Sequence, residues 1–165
     1  MMLNVTAVAR AVAAYDLPVV LSTVGVELGM NTGTIQALRA ELPDAQEIDR
    51  TTLNSWENPE FRAAVEATGR RKLIVTGLWT EVCVAFPTLD MLREGYDVYP
   101  VTNAIGGFSR DAHERAVQRM TQAGAQPVTA ISLTCELQRD WGRPGADSLR
   151  RILRWYFPEL QKLTS

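Results

Sequence analysis

Apolar residues recur at helical spacing through Val5, Val8, Ala11, Val12 and Tyr15, so residues 4–15 are expected to form a helix. The period then changes. LPVVLSTV (17–24) is a short, continuous apolar run rich in β-branched residues, the pattern of a buried strand. TIQALRAEL (34–42) returns to helical spacing and is closed by Pro43, and QEID (46–49) reads as a short strand. Asn58-Pro59 sets a capping amide before a proline at the first helical position, opening a helix that runs to Gly69. KLIVTG (72–77) is the clearest buried strand, and VCVAFPTLDMLREG (82–95) is a helix that stops at Gly95. YDVYPVT (96–102) gives the next strand, Ser109 caps a helix over 110–123, PVTAIS (127–132) gives the last strand, and a helix follows near 133–140.

Strands and helices alternate along the whole chain, and the strands are continuously apolar. That combination predicts an α/β domain whose parallel sheet is covered by helices on both faces. The domain is expected over residues 1–142, with a helical tail at 143–165. Within the tail, LRRILRWYF (149–157) is amphipathic. Left uncovered, Ile152, Leu153, Trp155, Tyr156 and Phe157 would form an exposed apolar stripe, which predicts a homo-oligomer.

Composition narrows the function. Of 165 residues, 46% are hydrophobic and 22% charged, and the formal net charge is −2, so no nucleic-acid footprint is present. Arg150, Arg151 and Arg154 read as a solvated helix face. No run reaches the length of a membrane span, and residues 1–15 carry Arg10 and no cleavable apolar core. With two cysteines far apart, Cys83 and Cys135, the expectation is a cytoplasmic protein with free thiols.

Cys83 stands just past the strand at 72–77, in the first turn of the next helix. Ligands of open parallel sheets bind beyond the carboxyl ends of the strands. At a helix start, unpaired N–H groups and the dipole favour a thiolate and can hold an oxyanion. The residues alone leave two readings open: a nucleophile, or a small buried hydrophobe. Cys135, inside the helical pattern CELQRDW, has no comparable placement. The single histidine, His113, lies among charged neighbours in RDAHERAVQRM and reads as a surface residue.

GLWTEVCVAFPTLDMLREGYDVYPVTNAIGG, with RDAHERAVQRMTQAGAQPVT and CELQRDW further on, resembles the isochorismatase-like cysteine hydrolases, their YcaC-like branch in particular. The resemblance implies a three-layer α/β/α fold and a Cys, Asp and Lys or Arg triad. It makes Cys83 the nucleophile and Arg50, in IDRTTLNSW, the basic member. It implies a cis peptide between Leu78 and Trp79, with the N–H groups of Trp79 and Cys83 as the oxyanion hole. It places Asn54, Trp56 and Thr80 at the substrate pocket, with helix capping as the plain reading of Thr80 and Glu81 and core packing that of Trp56. A small-molecule amide would be cleaved through a Cys83 thioester. No cofactor is implied and no metal, because the loop VGVELGMNTGT lacks the histidines that metal-dependent relatives use.

In the resembling family the base is an aspartate in an apolar strand ending D-x-Q, central in a sheet of order 3-2-1-4-5-6. That strand lies ahead of the helix at 4–15, where this sequence shows none. The resemblance therefore implies a sheet without its first strand, leaving a gap about 10 Å wide between the strands at 18–23 and 72–77. Two expectations follow: those strands pair directly, or their edges stay open. The competing reading of function is a catalytically inactive α/β oligomerisation or binding module lacking the general base.

Overall fold

A computed structural model of the chain describes residues 1–164. The elements in order are α1 (Met2–Ala14), β1 (Leu21–Val24), α2 (Gln36–Glu41), β2 (Glu47–Arg50), α3 (Pro59–Ala67), β3 (Lys72–Leu78), α4 (Ala85–Arg93), β4 (Asp97–Gly106), α5 (Arg110–Gln122), α6 (Ala130–Gln138) and α7 (Ala146–Thr164). The expected caps form: the Asn58 side chain accepts from the Phe61 N–H, and Ser109 from the Ala112 N–H.

The strands are parallel, and they stand as two pairs. β1 runs beside β2, from Leu21 opposite Glu47 to Val24 opposite Arg50. β3 runs beside β4, from Lys72 opposite Asp97 to Leu78 opposite Gly106, with a break in register between Val75 and Gly77. β1 and β3 do not pair with each other, so the gap is left open. The two pairs still share a core, since Val20 packs on the same cluster as Leu73 and Val75.

Burial follows from that gap. β1 and β3 were expected to be buried on both faces, yet both are half-exposed along their length, whereas most of the apolar positions of β4 are buried. A strand paired on one side only leaves its other edge, and the flanks of its side chains, to solvent.

The expected strand at 127–132 is corrected. Residues 126–128 lie along β4, with the Gln126 N–H donating to the Val98 carbonyl and the Val128 N–H to that of Pro100. Only Val128 forms a bridge, to Val101. Pro127 has no N–H to extend the ladder. Asn103 Oδ1 then accepts the Ala130 N–H at 2.9 Å and starts α6 early.

Helices cover both faces. α1, α6 and α7 enclose one cluster with Val101 and Ala104 of β4, while α4 and α5 enclose another around Val84, Ile105 and Met120. α7 is longer than the helical pattern at 149–157, and the stripe expected to be exposed is largely covered within the subunit. Leu149, Ile152 and Tyr156 are buried, Leu153 and Trp155 are half-buried, and Phe157 remains exposed. Tyr156 donates to Asn4 Oδ1 at 2.7 Å, and Arg10 of α1 stacks over the Trp155 ring at 3.8 Å.

Candidate active site

The carboxyl end of β3 turns sharply. Gly77 has φ of +130°, a conformation that side-chain-bearing residues rarely adopt, and the Leu78–Trp79 peptide is cis. The chain then winds into a π-helical turn (Thr80–Val84) that leads into α4. The N–H groups of Val82 and Val84 both donate to the Trp79 carbonyl, at 3.1 and 3.2 Å. Cys83 lies in this turn and is half-buried, whereas Cys135 on α6 is exposed; both thiols are free. Short π segments inside helices recur at functional sites.

The turn is fastened to the end of β4. Thr80 is fully buried and its Oγ1 lies 2.9 Å from His113 Nδ1 on α5. Glu81 Oε1 accepts the Phe108 N–H at 2.9 Å, and its Oε2 is buried without a hydrogen-bond partner. Gly107 is needed where these groups converge: a Cβ there would lie 2.8 Å from His113 Cβ and 2.9 Å from Glu81 Oε2. Trp79 and Phe108 meet edge to face at 6.1 Å above it, both exposed. The sequence reading placed His113 on the surface; the structure instead sets it half-buried against the motif. The available signal was Gly107, which admits a helix and a carboxylate close to the backbone.

Arg50 ends β2 and is buried, at 6% exposure. Its Nε donates to Ser22 Oγ at 3.2 Å, and Nη1 donates to the Thr52 and Leu53 carbonyls. Among the described residues no hydrogen bond or ion pair joins Arg50 to the Cys83 turn; the two belong to different strand pairs. Beside it, Asp49 was not singled out from sequence. Its carboxylate accepts from Thr23 Oγ1 and from the N–H groups of Val26 and Glu27, fixing the loop after β1. Those bonds, that from Glu27 first, hold its pKa below the ordinary carboxylate range.

Asn54 and Trp56 lie further along the same loop. Asn54 caps the short helix Ser55–Glu57 through the Trp56 N–H and donates to Asp90 Oδ2 at 2.7 Å. Trp56 is buried edge-on against Tyr96, and its Nε1 donates to Glu94 at 2.9 Å. Both therefore join β2 to α4, and neither contacts the Cys83 turn through a hydrogen bond. No group of three or more His, Cys, Asp or Glu suited to a metal ion is found among the described residues. No helix among them is long and apolar enough to cross a membrane.

A family model of the isochorismatase domain matches residues 1–132. The chain belongs to the isochorismatase family. It is 40% identical over 161 residues to the probable hydrolase YcaC of Escherichia coli (strain K12), covering 97% of this chain and 76% of that protein. The structure of YcaC from Pseudomonas aeruginosa with hexane-2,5-diol and covalent acrylamide superposes with a TM-score of 0.87 at 40% identity, over 99% of this chain and 82% of the other. E. coli YcaC, described as an octameric hydrolase of unknown specificity, superposes at 0.89 and 40% identity, over 98% and 79%. The nicotinamidase PncA of Bacillus subtilis, at 16% identity and a TM-score of 0.65 over 75% and 81%, shares the fold alone. As a member of the isochorismatase family with YcaC-like neighbours, the chain has the α/β fold and the branch that its cysteine motif implied.

Proposed function

We propose that this isochorismatase-family chain hydrolyses a C–N bond of a small amide-type compound through a thioester on Cys83. The observation that carries the reading is the placement of Cys83: a half-buried thiol in a π turn at the carboxyl end of a parallel strand. The Cys83 sulfur attacks the carbonyl carbon, and the oxyanion is received by the N–H groups of Trp79 and Cys83. Collapse breaks the C–N bond, the thiol proton leaves with the amine, and the acyl group stays on sulfur. Water then cleaves the thioester, giving a carboxylic acid and restoring the thiol. Arg50 cannot serve as a base, since a guanidinium keeps its proton. Its role is to hold the substrate through Nη2, the edge not used by Ser22, Thr52 or Leu53, with Asn54, Trp56 and Thr80 shaping the wall. The family resemblance assigns the base to an aspartate on a strand between β1 and β3, and among the described residues no strand stands there. The acrylamide carried covalently by the P. aeruginosa relative is an electrophile of the kind such a thiol captures, which supports the reading.

Iodoacetamide at neutral pH tests it. Exposure alone favours Cys135, which is open to solvent while Cys83 is half-buried. Peptide mass spectrometry over time should nevertheless find Cys83 alkylated first. Labelling in order of exposure would overturn the nucleophile.

The protein is also proposed to be a homo-oligomer acting without cofactor or metal in the cytoplasm. The support for assembly is the octamer described for E. coli YcaC, since α7 already buries most of its apolar stripe against α1. Light scattering at micromolar concentration should give a mass several times 18.3 kDa. A stable species of one chain would refute the assembly.

A further inference from the structure

We infer that His113 is a positioning residue for the Cys83 nucleophile, acting through the Thr80 hydroxyl. The inference rests on Cys83 being that nucleophile. Three observations converge. His113 Nδ1 and the buried Thr80 Oγ1 lie 2.9 Å apart, and Thr80 stands at the start of the turn that holds Cys83. Glu81, next in the turn, is clasped to the Phe108 N–H on the other side of His113. Gly107 lets both side chains approach the β4 end to within 3 Å of where a Cβ would stand. α5 and the segment just before it thereby grip the turn at two consecutive residues.

The need for such a grip is local. A π turn is an uncommon winding that recurs at functional sites. The N–H groups of Val82 and Val84 share the single Trp79 carbonyl, and the Ala85 N–H is shared between the Thr80 and Val82 carbonyls. A hydrogen bond to a fully buried hydroxyl adds a constraint from outside the turn. Removing the histidine leaves the fully buried Thr80 hydroxyl without that partner, which is where such bonds weigh most. The histidine does not face the reacting atoms through any hydrogen bond other than that to Thr80, so its effect passes through Thr80.

Side-chain geometry makes this testable. An asparagine at 113 can put an amide atom close to where Nδ1 lies, whereas a leucine of similar bulk offers none. The readout is the alkylation rate of Cys83 relative to Cys135 in the same molecule. H113L and T80V should each lower that ratio about tenfold. The double variant H113L/T80V should lower it no further, because both changes break one bond. H113N should stay within about threefold of the parent. Should H113L fail to fold, T80S, which keeps the hydroxyl, is compared with T80V and should hold the parent ratio. An unchanged ratio in H113L or T80V, additive losses in the double variant, or an H113N as slow as H113L overturns the inference alone. Equal rates of Cys83 and Cys135 in the parent protein overturn the nucleophile and this inference with it.

Discussion

In a chain extended to carry the strand with its aspartate, replacing Cys83 with alanine should lower amide hydrolysis by at least about a thousandfold, because nucleophile and base act as one unit. The same change should abolish covalent capture of acrylamide, while Cys135→Ala should leave both intact. Intact-mass spectrometry after incubation with a panel of small amides measures the first step directly, as an acyl adduct on the parent chain. Cys83 is half-buried next to fully buried Thr80 and Val84, so the alanine variant should fold, and its melting curve confirms that the loss is chemical. Turnover by Cys83→Ala within tenfold of that extended parent would end the thioester mechanism.

The second large effect concerns the open edges. β1 and β3 each pair on one side only, and both are half-exposed where their sequences are continuously apolar. Such edges cost stability through apolar surface left in water, and they invite pairing between molecules. A strand seated between them would gain backbone bonds on two sides, each worth about 1 kcal/mol net, as well as the burial of its side chains. Extending the chain ahead of Met1 with an apolar strand ending in Asp-x-Gln should therefore raise the melting temperature by about 10 °C or more. Through its aspartate, such a strand should also raise turnover. Calorimetry and the amide assay on the two lengths side by side decide the matter. Equal melting and equal turnover would show that neither the edges nor the base are wanting.

The parallel α/β fold was legible because its signals are local: continuous apolar strands, the Asn58 and Ser109 caps, and the glycine stop at Gly95 all formed as expected. Around the site, the cysteine motif was legible as a string of residues; its fastening was not. Nothing near RDAHERAVQRM says that His113 faces Thr80, because that contact joins residues 33 positions apart across two helices. The strand at 127–132 was misread for the opposite reason. β-branched residues suggested extension, yet Asn103, on another element, captured the Ala130 N–H and ended it. The α7 stripe misled in the same way: amphipathicity shows that a face must be covered, not by what. Here α1 covers it.

That cover has a cost in time. The core face of α1 packs on Val101, Ala104, Ala130, Leu133 and Tyr156, all from the last two-fifths of the chain. The hydrogen bond that its Asn4 accepts from Tyr156 spans 152 positions. Contacts so distant form slowly, since the intervening chain must be ordered before they are rewarded. Helix α1 therefore waits to find its full place, and part of its apolar side stays uncovered until the residues from Val101 to Tyr156 have been made.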